Sequence, residues 1–210
     1  MTPSAAAWFA AAMRGEPCVV HGMAKGPRRL PMRRWSGRAD VSDGAVLAHC
    51  DGPVIDIGCG PGRMSEQLVS RGVEVLGIDV VPEAVVATRA RGASAMHRDV
   101  FDHQPGEGAW VCALLADGNI GIGGDPVQLL RRVAELLAPE GWVVADLAPP
   151  GSGLSTVTLE LECRGRRSEP FAWSVLGACR VHAVAGAAGL RVDDVREHDG
   201  RWFAVLGKEP

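Results

Sequence analysis

Val54-Ile55-Asp56-Ile57-Gly58-Cys59-Gly60-Pro61-Gly62-Arg63 reads as an apolar strand that runs into a glycine turn and then a helix. β-Branched and apolar residues ending at a carboxylate suit a strand buried on both faces. Glycines spaced as GxGxG let the backbone turn sharply and lie against a ligand. The helix opening at Gly62 then points its free N–H groups at the same place. Counted from Gly58, the position that would complete the dinucleotide fingerprint GxGxxG is Arg63, which argues against a pyrophosphate-gripping dehydrogenase.

The same strand-to-helix pattern repeats along the chain. Glu74 to Asp79 is a second buried strand ending in a carboxylate, and its helix has Pro82 near the start and Gly92 just past the end. Ser94 to His97 and Trp110 to Ala116 read as the third and fourth strands. A glycine-rich stretch follows, with glycines at 118, 121, 123 and 124 that let backbone approach a ligand. Asp125 caps and Pro126 opens a helix with the stripe Leu129, Val133, Leu136 and Leu137, and Trp142 to Leu147 is the fifth strand. Such alternation implies a parallel sheet with helices on both faces.

Outside that repeat the signals are weaker. Residues 1–50 show no sustained strand pattern and read as a helical cap or lid: an Ala-rich helix with Thr2 as cap and Pro3 at its first position, a Gly/Pro-broken middle, and a short helix from Ser42 to His49. Residues 149–175 read as an excursion over the sheet, with Val157, Leu159, Leu161 and Cys163 alternating. Trp173 to Ala188 reads as a last helix. Leu190 to His198 and Trp202 to Leu206 read as strands of a hairpin turned by Asp199-Gly200.

At 210 residues, one domain suffices. Six cysteines without CxxC or metal-type spacing read as reduced thiols of a cytoplasmic protein. Ala5 to Met13 lacks the charged flank of a secretion signal, and no stretch approaches the roughly 20 apolar residues of a membrane span. Net charge is −3 but uneven: residues 1–40 carry seven Lys/Arg against two Asp/Glu (+5), and the remainder fifteen against twenty-three (−8). A nucleic acid would meet repulsion over most of this surface. The basic segment holds Lys25, Arg28, Arg29, Arg33, Arg34 and Arg38 beside Trp8, Phe9, Met23, Met32 and Trp35, a set suited to closing over a compact ligand, with arginines at the rim or against an anionic part of it.

Asp56 to Gly62, Asp-Ile-Gly-Cys-Gly-Pro-Gly, resembles the first motif of class I S-adenosylmethionine-dependent methyltransferases. The likeness covers about residues 51–148, with the terminal hairpin in further agreement. It implies a Rossmann-like, doubly wound α/β sheet of seven strands, mostly parallel with an antiparallel last strand. It also implies S-adenosylmethionine as cofactor. By this resemblance Gly58, Gly60 and Gly62 back the methionine part with Asp56 nearby, Asp79 accepts hydrogen bonds from the ribose, and Asp99 and Val100 face the adenine. Asp117 and Asn119 lie where the cofactor's amino group and the reacting atom meet. Amino-nucleobase methyltransferases carry Asp/Asn-Pro-Pro-aromatic there, which Asp117-Gly118-Asn119-Ile120 does not match. Catechol-type enzymes hold magnesium with an Asp-Asn pair where this chain has Asp146-Leu147, so no metal site is expected.

The reading is therefore a methyltransferase acting on a small molecule by in-line displacement. Alignment carries most of the chemistry, with Asp117 as the candidate base and His21 and His182 as weaker ones. A non-catalytic S-adenosylmethionine-binding protein and an NAD(P)-dependent oxidoreductase are the alternatives.

Overall fold

The computed structural model describes residues 2–24 and 26–208. Lys25 of the basic segment lies outside them. Helix α1 (Ala5–Met13) leads into strands β1 (Cys18–His21) and β2 (Arg28–Arg29) and short helices α2 (Met32–Trp35) and α3 (Val41–Leu47). Then β3 (Val54–Ile57), α4 (Arg63–Ser70), β4 (Val75–Asp79), α5 (Pro82–Ala90), β5 (Ser94–His97), β6 (Trp110–Leu115), α6 (Pro126–Leu136) and β7 (Leu137–Leu147) alternate. The chain ends with β8 (Leu154–Cys163), β9 (Arg166–Arg167), β10 (Phe171–Leu176), α7 (Val181–Ala187), β11 (Leu190–His198) and β12 (Arg201–Lys208).

Seven strands form the central sheet in the order β11-β12-β7-β6-β3-β4-β5. Pairings among β3 to β7 are parallel, and β12 is antiparallel to both β7 and β11, as expected. Period-2 alternation divides the core. Ile55, Ile57, Ala113, Leu115, Val143 and Ala145 meet the stripe Leu129, Leu130, Val133 and Leu136 of α6 together with Val181 and Val184 of α7. Val54, Cys112, Leu114, Val144 and Phe203 point the other way, against Val46 and Leu47 of α3 and Met64 and Leu68 of α4. The chain reverses its direction across the sheet between β3 and β6, and this switch point leaves a crevice above their carboxyl ends.

The smaller sheet corrects two expectations, and the start of α1 a third. β1 pairs with β8 from Cys18↔Cys163 to His21↔Glu160, and β10 pairs along β8 from Phe171↔Leu159 to Leu176↔Leu154. With β2 and β9 at its margins this makes a five-stranded antiparallel sheet over the crevice. Residues 1–50 are thus not only helical: Cys18-Val19-Val20-His21 is too short to show alternation and becomes a strand because β8 supplies its partner. Phe171–Leu176 is a strand, not the start of a helix; its aromatic and β-branched residues suit a sheet, and Gly177 separates it from α7. α1 is capped by Ser4, whose Oγ accepts from Ala7 N at 3.3 Å, so the helix begins after Thr2 and Pro3.

Elsewhere local signals hold. Asp125 accepts from the N–H groups of Val127 and Gln128, and Asp199 and Gly200 take φ of 50° and 79°, the doubly left-handed turn that a tight hairpin needs. All six cysteines are free thiols. Among the described residues no helix is long and apolar enough to cross a membrane.

Candidate active site

Strand β3, buried along its whole length, delivers the chain into the glycine turn. Gly58 and Gly62 take φ of 71° and 85°. A Cβ at Gly58 would lie 2.7 Å from Asn119 Nδ2, and one at Gly62 would lie 2.6 Å from Thr88 Oγ1, so only glycine fits at either. A Cβ at Gly60 would meet nothing within 4 Å, which leaves that face of the turn open to a ligand. Asn119 donates from Nδ2 to the carbonyls of Ile57 and Gly58, both at 2.9 Å. Its NH₂ is therefore committed to bracing the turn, a role the sequence did not suggest.

Carboxylates stand at the ends of three strands. Asp56 is 1% exposed and accepts from Ser65 Oγ at 2.6 Å; burial pushes its pKa up to about 6. Asp79 ends β4, with Oδ2 accepting from Gly60 N at 2.9 Å and Oδ1 from Val81 N at 2.8 Å. Burial pushes it up as well. Each carboxylate oxygen has two lone-pair directions, so Asp79 keeps acceptor capacity toward the crevice. Asp99, beyond β5, folds over its own turn by accepting from Phe101 N at 3.0 Å, beside the buried Val100.

One cavity of about 700 Å³ joins these groups. Asp56, Gly58, Gly60, Asp79, Asp99, Val100, Asp117 and Asn119 all line it, whereas Gly62 packs on Thr88 instead. The glycine-rich stretch after β6 contributes less than its composition suggested. Only Gly123 of its four glycines is in the wall; Gly121 and Gly124 make room for Trp173 and Ala172 of β10. Phe9, Trp35, Phe171 and Trp173 close the cavity from the side of the small sheet.

Asp117, the candidate base, belongs to a buried ionic cluster. Arg63, 3% exposed, pairs with both Asp43 and Asp117, and Arg201 pairs with Asp43 and reaches Asp146 Oδ1 at 2.9 Å. Arg34 Nε and Arg201 Nη2 each stand 3.8 Å from Asp117 Oδ1. Burial works against ionising Asp43, but Arg63, the Asp40 N–H and Arg201 outweigh it and hold its carboxyl below the usual range. Burial likewise pushes Asp146 up despite Arg201. Five segments distant in sequence thus meet: α3, the start of α4, and the ends of β6, β7 and β12.

This cluster is what sequence reasoning missed. Arg63 was read only as a glycine that is absent, and Asp43 not at all, although Asp40 and Asp43 are spaced as the capping box they form. The histidines lie elsewhere. His21 pairs with Glu162 on the small sheet at 2.9 Å, His182 is exposed, and neither is in the cavity wall.

Parts of the chain are similar to known methyltransferases. Residues 54–141 match the family model described as a methyltransferase domain. The chain is 30% identical over 121 residues to a trans-aconitate 2-methyltransferase of Mycobacterium tuberculosis, covering 57% of this chain and 44% of that protein. It is 40% identical over 68 residues to a tabtoxin biosynthesis enzyme of Pseudomonas amygdali pv. tabaci, covering 32% and 27%. The matches therefore span less than half the length of these curated relatives. A methyltransferase from Bacteroides fragilis, solved with S-adenosyl-L-homocysteine, superposes with a TM-score of 0.79 at 19% identity, covering 96% of this chain and 92% of that one. With its glycine turn at the switch point, three strand-end carboxylates around one cavity, and a single reversed strand, the chain shares the Rossmann-like fold of that structure, and its residues 54–141 carry the methyltransferase-domain match.

Proposed function

We propose that the chain transfers a methyl group from S-adenosylmethionine to a small-molecule acceptor. The observation that carries this reading is the convergence of Asp56, Asp79 and Asp99, from three adjacent strands, on one cavity beside the open face of Gly60. The donor set fits the cofactor: Asp79 can accept from ribose hydroxyls, Asp99 from the exocyclic amine, and Val100 gives the ring an apolar neighbour. When bound, the cofactor supplies an electrophilic methyl carbon, to which an acceptor lone pair bonds while the carbon–sulfur pair stays on sulfur.

The protein's part is to align the acceptor and exclude water. Asp117, with Oδ2 paired to Arg63 and Oδ1 3.8 Å from both Arg34 and Arg201, can accept a hydrogen bond at the reacting end. Residues 1–50 and β8 to β10 act as a lid. The acidic balance beyond residue 40 supports a small acceptor over a nucleic acid.

Calorimetry with S-adenosylhomocysteine tests the reading. Hydrogen bonds to a charged group are worth roughly 1.5–3 kcal/mol each, so Asp79→Ala should weaken binding about tenfold or more. Unchanged affinity in the folded variant would refute the ribose assignment.

A further inference from the structure

Resting on that reading, we infer that the acceptor half of the cavity is built for an uncharged, ring-bearing molecule. The cavity has two unlike walls. Its ionisable side chains are Asp56, Cys59, Arg63, Asp79, Arg98, Asp99 and Asp117, all on the side of the large sheet. Among the described residues, the facing wall, from the small sheet and its flanking helices, carries none. It presents Met23, Leu30, Trp35, Leu159, Phe171 and Trp173. Phe9 links the rings, 6.4 Å from both Trp35 and Phe171, and Phe171 meets Trp173 edge-on at 6.5 Å and 88°. These edge-to-face contacts fix flat apolar surfaces against which a ring can pack.

Among the described residues, no charge on this wall could compensate an ionic acceptor. Arg28, Arg29, Arg33 and Arg38 of the basic segment are exposed and outside the cavity wall. Arg34 reaches Asp40 at 3.0 Å and Asp43 at 3.3 Å, while Arg63 and Arg201 serve the buried cluster. Arg98 follows edge strand β5, three strand spacings from β6, or roughly 14 Å. An anion placed among the rings would lose its hydration without gaining a cation. An ammonium would find only Asp117, already shared among three guanidinium groups.

Three probes with one ring system test this: 2-naphthalenemethanol, 2-naphthoate and 2-naphthylmethylamine, titrated by calorimetry into the full chain saturated with S-adenosylhomocysteine. The neutral alcohol should bind at least tenfold more tightly than either charged probe. Phe171→Ala should weaken it at least fivefold while S-adenosylhomocysteine affinity stays within twofold; Trp35→Leu serves the same end should Phe171→Ala fail to fold. Equal or tighter binding of a charged probe, no binding of the alcohol, or indifference to a folded wall variant overturns the inference. Failure to bind S-adenosylhomocysteine would instead strike at the methyltransferase reading, and the probe series run without it still decides the chamber's preference.

Discussion

The two sheets of this protein are encoded differently. In the large sheet β3 and β4, β4 and β5, and β6 and β7 are each joined through one helix, and the boundaries bear local signals: Gly72 and Gly92 at φ of 78° and 88°, Asp125 as a cap, Asp199-Gly200 as a tight turn. In the small sheet β1 finds its partner in β8, a strand about 140 residues away. The first sheet supplies the polar half of the cavity and the second the apolar half. On the reading proposed above, local encoding goes with the cofactor and long-range assembly with the acceptor.

The largest expected effect comes from cutting the joint between these regions. Asp43→Ala leaves Arg63 buried without one carboxylate partner and removes one partner of Arg201. Breaking a buried pair in this way costs about 3–5 kcal/mol, which urea denaturation would register. If stability is unchanged, the lid is not anchored through α3.

Next is Asp56, on the core side alone. Its folded pKa of about 6 lies above the unfolded value, so its contribution to stability is complete below about pH 4 and is lost as pH rises through 6. Asp56→Asn removes this titration. Wild type should therefore lose about 3 kcal/mol relative to the variant between pH 4 and pH 7, and parallel slopes for the two proteins would show that Asp56 is not held protonated.

A smaller effect should fall on the lid. The sequence suggested that Gly121 faces the ligand, but a Cβ there would lie 2.2 Å from Ser174 O and 2.5 Å from Trp173 Nε1. Gly121→Val should destabilise by about 1–3 kcal/mol through overpacking while S-adenosylhomocysteine affinity stays within a fewfold. Loss of cofactor binding from a stable variant would return Gly121 to the ligand side. The smallest change is Ser4→Ala, which removes the cap of α1 for about 1 kcal/mol and should lower the thermal midpoint without altering cofactor affinity.

Residue order determined the alternation of strand and helix and the terminal hairpin, and the family resemblance of its first motif implied the seven-stranded sheet, its single reversed strand and eight of the residues that line the cavity. Strand ends, glycine turns and helix caps are set by interactions within a few residues, so they are written locally. Tertiary structure decided the rest. Cys18–His21 and Phe171–Leu176 become strands because β8 lies between them. Asp117 is engaged by arginines because α3, α4 and β12 converge on it. The basic segment turns its exposed arginines away from the cavity because its apolar side chains, Leu30 and Met32 among them, pack inward against α1 and β8. Such contacts join residues from about 12 to 158 positions apart, and no local pattern of side chains records which partner will meet them.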